Sequence, residues 1–174
     1  YGDWQLGHMS TDDFVKKHNA FADAMRSVDP DIKLIAVGEL GEWDRMVLKN
    51  CSESMDLISE HFYRQDWHGG GLMTHVKQIP DAIREKADAH RQYRQEIPQL
   101  EGKDIRICMD EWNYWYGPHI YGELGTRYFM RDAMGIAAGL NEYSRQSDMV
   151  FMANYAQTVN VIGCIKTNTT GSVF

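Results

Sequence analysis

The stretch Ile105-Arg106-Ile107-Cys108-Met109 is followed at once by Asp110-Glu111-Trp112-Asn113-Tyr114-Trp115-Tyr116. A short β-rich apolar run that turns abruptly into carboxylates, an amide and aromatic rings is typical of a buried strand ending at a functional edge. The same transition occurs within residues 55–63 and again within residues 149–157. With the β-rich run at residues 32–37, these stretches predict four strands.

Helical patterns separate the predicted strands. Apolar periodicity predicts helices over residues 10–28, 42–50, 81–97 and 128–143, with Pro80 placed in the first turn of the third. The first helix shows its apolar face most clearly, in Phe14, His18, Phe21, Met25 and Val28. Alternating strands and helices predict an α/β fold with a parallel sheet, either doubly wound or closed as a barrel.

Glycine patterns help to choose between these two folds. No glycine fingerprint of a dinucleotide site follows the first predicted strand. Gly69-Gly70-Gly71 lacks the Lys and Ser/Thr of a phosphate-binding loop. A barrel is therefore favoured by elimination.

Composition excludes several classes of function. The 174 residues are 43% hydrophobic with a net charge of -7, which suits a globular unit and excludes disorder. Acidic residues are scattered and no basic run could follow a phosphate backbone, so we expect neither nucleic acid nor a membrane as partner. The sequence opens without an initiating Met, which predicts that it begins inside a longer protein. Cys51, Cys108 and Cys164 lack any C-x-x-C spacing and are interpreted as reduced core residues, which favours a cytoplasmic location.

Polar and aromatic residues gather where the predicted strands end. In strand–helix barrels the reactive groups lie at the carboxyl ends of the strands. Aromatic rings stack on the apolar faces of sugars, while amides, carboxylates and histidine bind sugar hydroxyls. These ends therefore predict a carbohydrate site, which the loop of Trp67 and His68 would border. His68 and His75 are too far apart for a helical metal pair, so we expect no metal and no cofactor.

Glu111 is the candidate nucleophile. Strand alternation places Ile107, Met109 and Glu111 on one face and turns Asp110 to the other. A carboxylate there can attack an anomeric carbon if a second carboxyl group about 5 to 5.5 Å away protonates the leaving oxygen. From this strand alone, either carboxylate could instead cap the next helix or pair with an arginine.

Three further residues complete the predicted site. His61 and Tyr63 share a strand face and could both reach Glu111, keeping it ionised through hydrogen bonds to its charged form. Gln157 lies just beyond the last strand, where its amide could bind a sugar hydroxyl, although alone it would pass for a solvated loop residue.

Three stretches, at residues 4–9, 110–116 and 156–162, strongly resemble the α-L-arabinofuranosidases of glycoside hydrolase family 51, and the resemblance covers nearly the whole chain. It implies a (β/α)8 TIM barrel followed by a β-sandwich, and retaining release of terminal non-reducing α-L-arabinofuranosyl residues from hemicellulose- or pectin-derived arabinosides. It also implies that Glu111 is the nucleophile, that His61 and Tyr63 contact the nucleophile or the sugar, that Trp115 is a pocket wall and that Gln157 binds sugar.

The resemblance further implies that this chain is about the second half of the barrel, strands 5 to 8. Residues 1–166 would belong to the barrel and residues 167–174 would begin a linker toward the β-sandwich. The family's acid/base glutamate, in a Gly-Asn-Glu motif, would precede Tyr1, so we expect this chain alone to be inactive. Family members are commonly hexamers, which predicts a homo-oligomer when full length.

Two alternatives to an arabinofuranosidase remain at this point. A related retaining barrel glycosidase, such as a xylanase or glucanase, would use the same carboxylate pair. A non-catalytic carbohydrate-binding half barrel would need only the aromatic and polar side chains.

Overall fold

The structure is a computed structural model that describes residues 9–65, 69–116, 127–160 and 162–173. Within these ranges β1 to β4 form one sheet in chain order, with β1 and β2 parallel, and β5 pairs with β6 as an antiparallel hairpin. The prediction of a mixed α/β fold with a parallel sheet is confirmed. The helices are α1 (Thr11–Val28), α2 (Glu42–Cys51), α3 (Gly71–Glu96) and α4 (Met130–Arg145), and the strands are β1 (Ile35–Ala36), β2 (Leu57–Arg64), β3 (Arg106–Tyr114), β4 (Val150–Tyr155), β5 (Lys166–Thr167) and β6 (Ser172–Val173).

The chain divides into two compact units. The first comprises Tyr1–Glu60 with Lys86–Cys108, and the second comprises His61–Glu85 with Met109–Phe174. The apolar core of the first unit consists of Ala36, Val47, Leu48, Cys51, Met55, Ile58, Tyr93, Ile97, Leu100 and Ile105.

Helix α1 begins and ends where the sequence predicted, but its buried face differs. The Ser10 side chain caps the helix by accepting a hydrogen bond from the Asp13 amide at 3.2 Å. Phe21 and Val28, which lie on the predicted apolar face, are 67% and 87% exposed, and Ala22 is buried. Helical periodicity therefore located the helix but not the side chains that it buries within its unit.

Strands β2 and β3 are longer than the apolar runs from which they were predicted. β2 continues to Arg64 and β3 to Tyr114, so His61 and Glu111 lie inside strands and not after them. The apolar pattern missed these ends because buried polar residues, among them Asn113, have hydrogen-bonding partners inside the protein. The predicted strand at residues 32–37 is reduced to Ile35–Ala36.

The predicted start of the third helix at residue 81 is wrong. Helix α3 begins at Gly71 and Pro80 lies within it. His75, Ile79 and Ile83 recur every four residues and are fully buried, which stabilises the turns on both sides of the proline. Tertiary packing thus outweighs the loss of one backbone N–H donor.

In the second unit, α4 approaches its neighbours through two glycines. A Cβ atom at Gly139 would lie 2.4 Å from Cγ2 of Ile79, and one at Gly135 would lie 2.0 Å from the Tyr114 hydroxyl oxygen. The fully buried Trp112 ring meets the ring of Tyr143 edge-on, with centroids 4.9 Å apart. Small residues on α4 therefore allow this close packing.

The C-terminal segment is partly ordered into the β5–β6 hairpin, where Lys166 is opposite Val173. A linker toward a further domain, beginning at residue 167, stays a prediction. Cys51 and Cys108 are buried as predicted, whereas Cys164 is exposed, so its assignment to the core is wrong. Over the described ranges, α1 to α4 include none with the length and hydropathy of a bilayer-spanning segment.

Candidate active site

Glu111 is held from two sides by side chains of β2, all within the second unit. The Tyr63 hydroxyl donates a hydrogen bond to Oε1 of Glu111. Nδ1 of His61 lies 3.5 Å from Oε2, and the Glu111 side chain remains 43% exposed. The structure thus brings together three residues that the sequence selected, with the carboxylate oriented and still open to a ligand.

Asp110 is the residue of this group that the sequence placed wrongly. Alternation along β3 was expected to turn it away, but its Oδ1 lies 2.7 Å from Nε2 of His61. An imidazole ring carries nitrogens on opposite sides, so one histidine can contact two consecutive residues of a neighbouring strand. His61 therefore lies between two carboxylates, an arrangement that strand periodicity alone does not reveal.

Trp115 extends this group just beyond the end of β3. Its ring meets that of Tyr63 edge-on with centroids 5.5 Å apart, and it is 37% exposed. Its backbone N–H donates to the carbonyl oxygen of Arg64 at 2.9 Å, which fixes the segment after β3. A half-exposed indole beside an accessible carboxylate suits stacking on a sugar face.

Gln157 follows β4 and is exposed, and among the described residues its side chain has no hydrogen-bonding partner. The Ala156–Gln157 peptide bond is cis. The role of the Gln157 side chain in binding sugar stays a prediction. Trp67 and His68, expected to border the site, lie outside the described residues.

Asn113 contacts the chain on both sides of Gln157, a role that no sequence pattern indicated. Its fully buried amide donates to the carbonyl oxygens of Ala156 at 2.6 Å and Ile162 at 2.5 Å. Its Oδ1 accepts a hydrogen bond from the Tyr155 hydroxyl at 2.8 Å. One side chain of β3 thus holds both ends of the turn on which Gln157 is carried.

The first unit contains a buried network of charged groups. Lys86 Nζ lies 2.6 Å from Oε2 of Glu60, while Nε2 of His90 lies 2.9 Å from Oε1 of Glu60 and 3.4 Å from Oδ2 of Asp44. Burial raises the pKa of Asp44 to about 6. Burial alone would also raise the pKa of Glu60, but the hydrogen bond with His90 and the Lys86 charge lower it to about 2.

This network also has the composition of a possible metal site. One donor atom each from Asp44, Glu60 and His90 lie within 4.8 Å of one another. The ammonium group of Lys86 already supplies positive charge to Glu60. Burial lowers the pKa of His90, but its contacts with Asp44 and Glu60 outweigh burial and raise that pKa. The charges balance through these side chains, so we interpret the network as structural.

His75, considered for metal binding in the sequence, is instead packed into the second unit. It is fully buried, its Nε2 lies 2.6 Å from Oδ1 of Asp132, and its ring stacks on Tyr114 at 4.5 Å. Asp132 also accepts a hydrogen bond from the Phe129 amide at 2.7 Å, so it caps α4. This pair joins α3 to α4.

Comparison with known protein families gives one match in the second half of the chain. Residues 110–174 match the profile described as "Alpha-L-arabinofuranosidase C-terminal domain". The matched region begins at Asp110 and therefore includes Glu111, Asn113, Trp115 and Gln157.

Curated relatives match the chain along nearly all of its length. "Probable alpha-L-arabinofuranosidase C" of Aspergillus fumigatus is 29% identical over 99% of this chain and 38% of its own. "Intracellular exo-alpha-(1->5)-L-arabinofuranosidase" of Streptomyces lividans is 30% identical over 98% of this chain and 28% of its own. "Intracellular exo-alpha-(1->5)-L-arabinofuranosidase 1" of Bacillus subtilis is 29% identical over 99% of this chain and 38% of its own. The chain thus spans about a third of the length of these relatives.

Solved structures of α-L-arabinofuranosidases are also similar to this chain. The arabinose complex of the α-L-arabinofuranosidase from Thermotoga maritima matches with a TM-score of 0.85 and 29% identity, over 100% of this chain and 35% of that one. The GH51 enzyme of Thermotoga petrophila matches with a TM-score of 0.83 and 28% identity, with the same coverage. These matches confirm the resemblance read from the three sequence motifs.

Proposed function

We propose that the complete protein, like the family 51 α-L-arabinofuranosidases to which this chain is similar, is a retaining glycosidase acting on terminal α-L-arabinofuranosyl groups. The observation that carries this proposal is the setting of Glu111, which is oriented by Tyr63 and His61 yet 43% exposed. A nucleophilic carboxylate needs both a fixed direction and access to the anomeric carbon.

In the proposed reaction Glu111 attacks the anomeric carbon as the bond to the leaving oxygen breaks. A second carboxyl group protonates that oxygen, and the sugar is left as an ester of Glu111. Water then attacks the same carbon, giving one proton to the second carboxyl group and returning the bonding electrons to Glu111. The family resemblance assigns the second carboxyl group to a glutamate that precedes residues 1–4.

We propose that β1 to β4 are strands 5 to 8 of a (β/α)8 barrel that the complete protein closes. The exposed apolar residues of the second unit support this proposal, since Phe151 and Met152 on β4 are 55% and 37% exposed. A strand with large exposed apolar side chains suits a position that further strands and helices of the same barrel would cover.

The proposed substrates are arabinose-containing oligosaccharides or polysaccharides. Trp115, beside Tyr63, would form an apolar wall for the sugar, and Gln157 would contribute a hydrogen bond to a hydroxyl group. The Streptomyces lividans and Bacillus subtilis relatives are named intracellular, which supports a cytoplasmic location. A hexameric state rests on the family resemblance alone.

The test compares the complete protein with its Glu111→Ala variant on an aryl α-L-arabinofuranoside. We expect turnover to fall by about 10³-fold or more, and added azide to restore it while yielding an arabinosyl azide of inverted configuration. Glu101→Ala, an exposed glutamate in a turn, is the matched control and should keep full activity.

Three results would contradict the proposal in different ways. Near-normal activity of Glu111→Ala would make Glu111 a structural carboxylate. Cleavage of xylosides or glucosides but not arabinofuranosides would favour a related glycosidase. Binding of arabino-oligosaccharides without hydrolysis would favour a carbohydrate-binding protein.

A further inference from the structure

We infer that Asp110 is a positioning residue that acts on Glu111 through His61, and that it supports the step in which Glu111 is released from the sugar. This inference rests on the proposed function. It extends that function to a carboxylate that the sequence pattern had turned away from the site.

Two distances and one buried oxygen atom support the arrangement. Oδ1 of Asp110 lies 2.7 Å from Nε2 of His61, and Nδ1 of the same ring lies 3.5 Å from Oε2 of Glu111. Oδ1 is buried, and among the described residues it accepts no hydrogen bond of regular geometry. The imidazole of His61 is therefore the group placed to satisfy it.

Nε2 of His61 faces Asp110 and Nδ1 faces Glu111, and this arrangement restricts which ring nitrogens carry hydrogen. A neutral imidazole carries one N–H group, and if Nε2 donates to Asp110, Nδ1 presents a lone pair to an oxygen of Glu111. Two acceptors facing each other repel. A ring that carries hydrogen on both nitrogens can donate to both carboxylates, and the inference depends on this form.

Two further side chains of β2 near Glu111, within the described part of the chain, make other contacts. Tyr63 donates to the other oxygen of Glu111. Arg64 has its guanidinium group 3.7 Å from Glu85 and over the ring of Phe62. Asp110 is therefore a carboxylate placed to hold the Nε2 side of His61.

An imidazolium beside Glu111 affects the two chemical steps differently. Forming the sugar ester removes the negative charge of Glu111, so the attraction to His61 is lost in the first step. In the second step water supplies the new oxygen, the second carboxyl group accepts its proton, and the electrons of the broken ester bond return to Glu111. The attraction to His61 is then regained, so it stabilises the transition state of release.

The variant Asp110→Asn keeps the shape of the side chain and removes its charge. With an aryl arabinofuranoside that has a good leaving group, we expect kcat to fall about 10- to 100-fold while kcat/KM changes by less than about threefold. A burst of aryl alcohol should appear before the steady state, because the sugar ester accumulates. Asp104→Asn, an exposed aspartate ahead of β3, should leave both constants and the burst unchanged.

A double variant tests whether Asp110 acts through His61. In a His61→Gln background, Asp110→Asn should cause little further loss, because the intermediary is already absent. Fully additive losses would overturn the inference. Equal falls in kcat and kcat/KM, with no burst, would also overturn it, since a merely structural role slows both steps alike.

Neutron diffraction from the complete protein provides a readout that does not depend on activity. We expect deuterium on both nitrogens of His61 in the parent and on one nitrogen in Asp110→Asn. A parent ring with a bare Nδ1 would overturn the inference even if the enzyme is an arabinofuranosidase. If Asp110→Asn behaves like Asp104→Asn while azide still rescues Glu111→Ala, the inference falls and the proposed function stands. Absence of arabinofuranosidase activity in the parent would overturn both.

Discussion

Replacing Lys86 by Met tests whether the buried network of the first unit stabilises the fold. Lys86 lies 2.6 Å from Glu60, and their side chains are 10% and 1% exposed. Methionine has a similar length and no charge, so the variant leaves the Glu60 carboxylate buried with His90 as its remaining cationic neighbour. Removing one member of a buried pair costs more than removing both, because the other charge stays desolvated.

The size of the effect follows from the pKa of Glu60. Its displacement from 4.5 to about 2 corresponds to about 3 kcal/mol of preference for the charged form in the folded protein. His90 and Lys86 each supply part of this preference. In the variant, the cost of desolvating the carboxylate is no longer offset by the Lys86 charge. We therefore expect Lys86→Met to lower the free energy of unfolding of the first unit by about 3 kcal/mol near neutral pH.

The pH dependence has a definite sign. The pKa of Glu60 is lower in the folded state, so its contribution is present above about pH 4.5 and is lost as the pH falls toward about 2. The difference between Lys86→Met and the parent should therefore shrink over that window. Asp44 has a pKa raised by burial to about 6, but it is present in both proteins and its effect cancels to first order.

Hydrogen exchange of the β2 backbone amides measures the opening of this strand separately from other parts of the complete protein. Lys77→Met, on the exposed side of the same helix, is the control and should change stability by less than about 0.5 kcal/mol. If Lys86→Met and Lys77→Met have the same small effect at neutral pH, the network does not stabilise the fold and the reasoning is refuted.

Two further predictions concern packing and burial. Gly135→Ala would put a methyl group 2.0 Å from the Tyr114 hydroxyl oxygen. We therefore expect the free energy of unfolding, measured with urea, to fall by about 1–2 kcal/mol despite better helix propensity. An equally stable variant would contradict the close contact. Burial raises the pKa of the Cys51 thiol to about 11, so iodoacetamide should modify exposed Cys164 in the native protein and Cys51 only after denaturation. Mass spectrometry of the labelled peptides decides, and equal native labelling of both thiols would contradict the prediction.

The sequence predicted that His61, Tyr63 and Glu111 lie together because neighbouring parallel strands end at the same edge of a sheet. His61 and Tyr63 share one face of β2 by simple alternation, and Glu111 follows three apolar residues spaced two apart on β3. These local patterns, read on two separate strands, were enough to predict that the side chains meet. The family resemblance then added the reaction type, which no local pattern contains.

The parts that the sequence did not reveal depend on contacts between distant segments. Asp110 reaches the site because the His61 ring has nitrogens on two sides, a matter of side-chain geometry and not of strand period. Pro80 lies inside α3 because His75 and Ile79 are buried before it, which requires knowing the tertiary packing. Asn113 is polar, which suggested that the strand had already ended. Its amide is instead buried and donates to the carbonyl oxygens of Ala156 and Ile162, far along the chain.

The partners of Asn113 also bear on the order in which the protein is assembled during synthesis. Its two carbonyl acceptors, on Ala156 and Ile162, lie 43 and 49 residues later in the chain. Asn113 therefore leaves the ribosome well before the groups that satisfy its buried amide. The segment carrying Gln157 is therefore fixed only after residue 162 has emerged. A nascent chain halted before that point would lack both carbonyl acceptors of this amide.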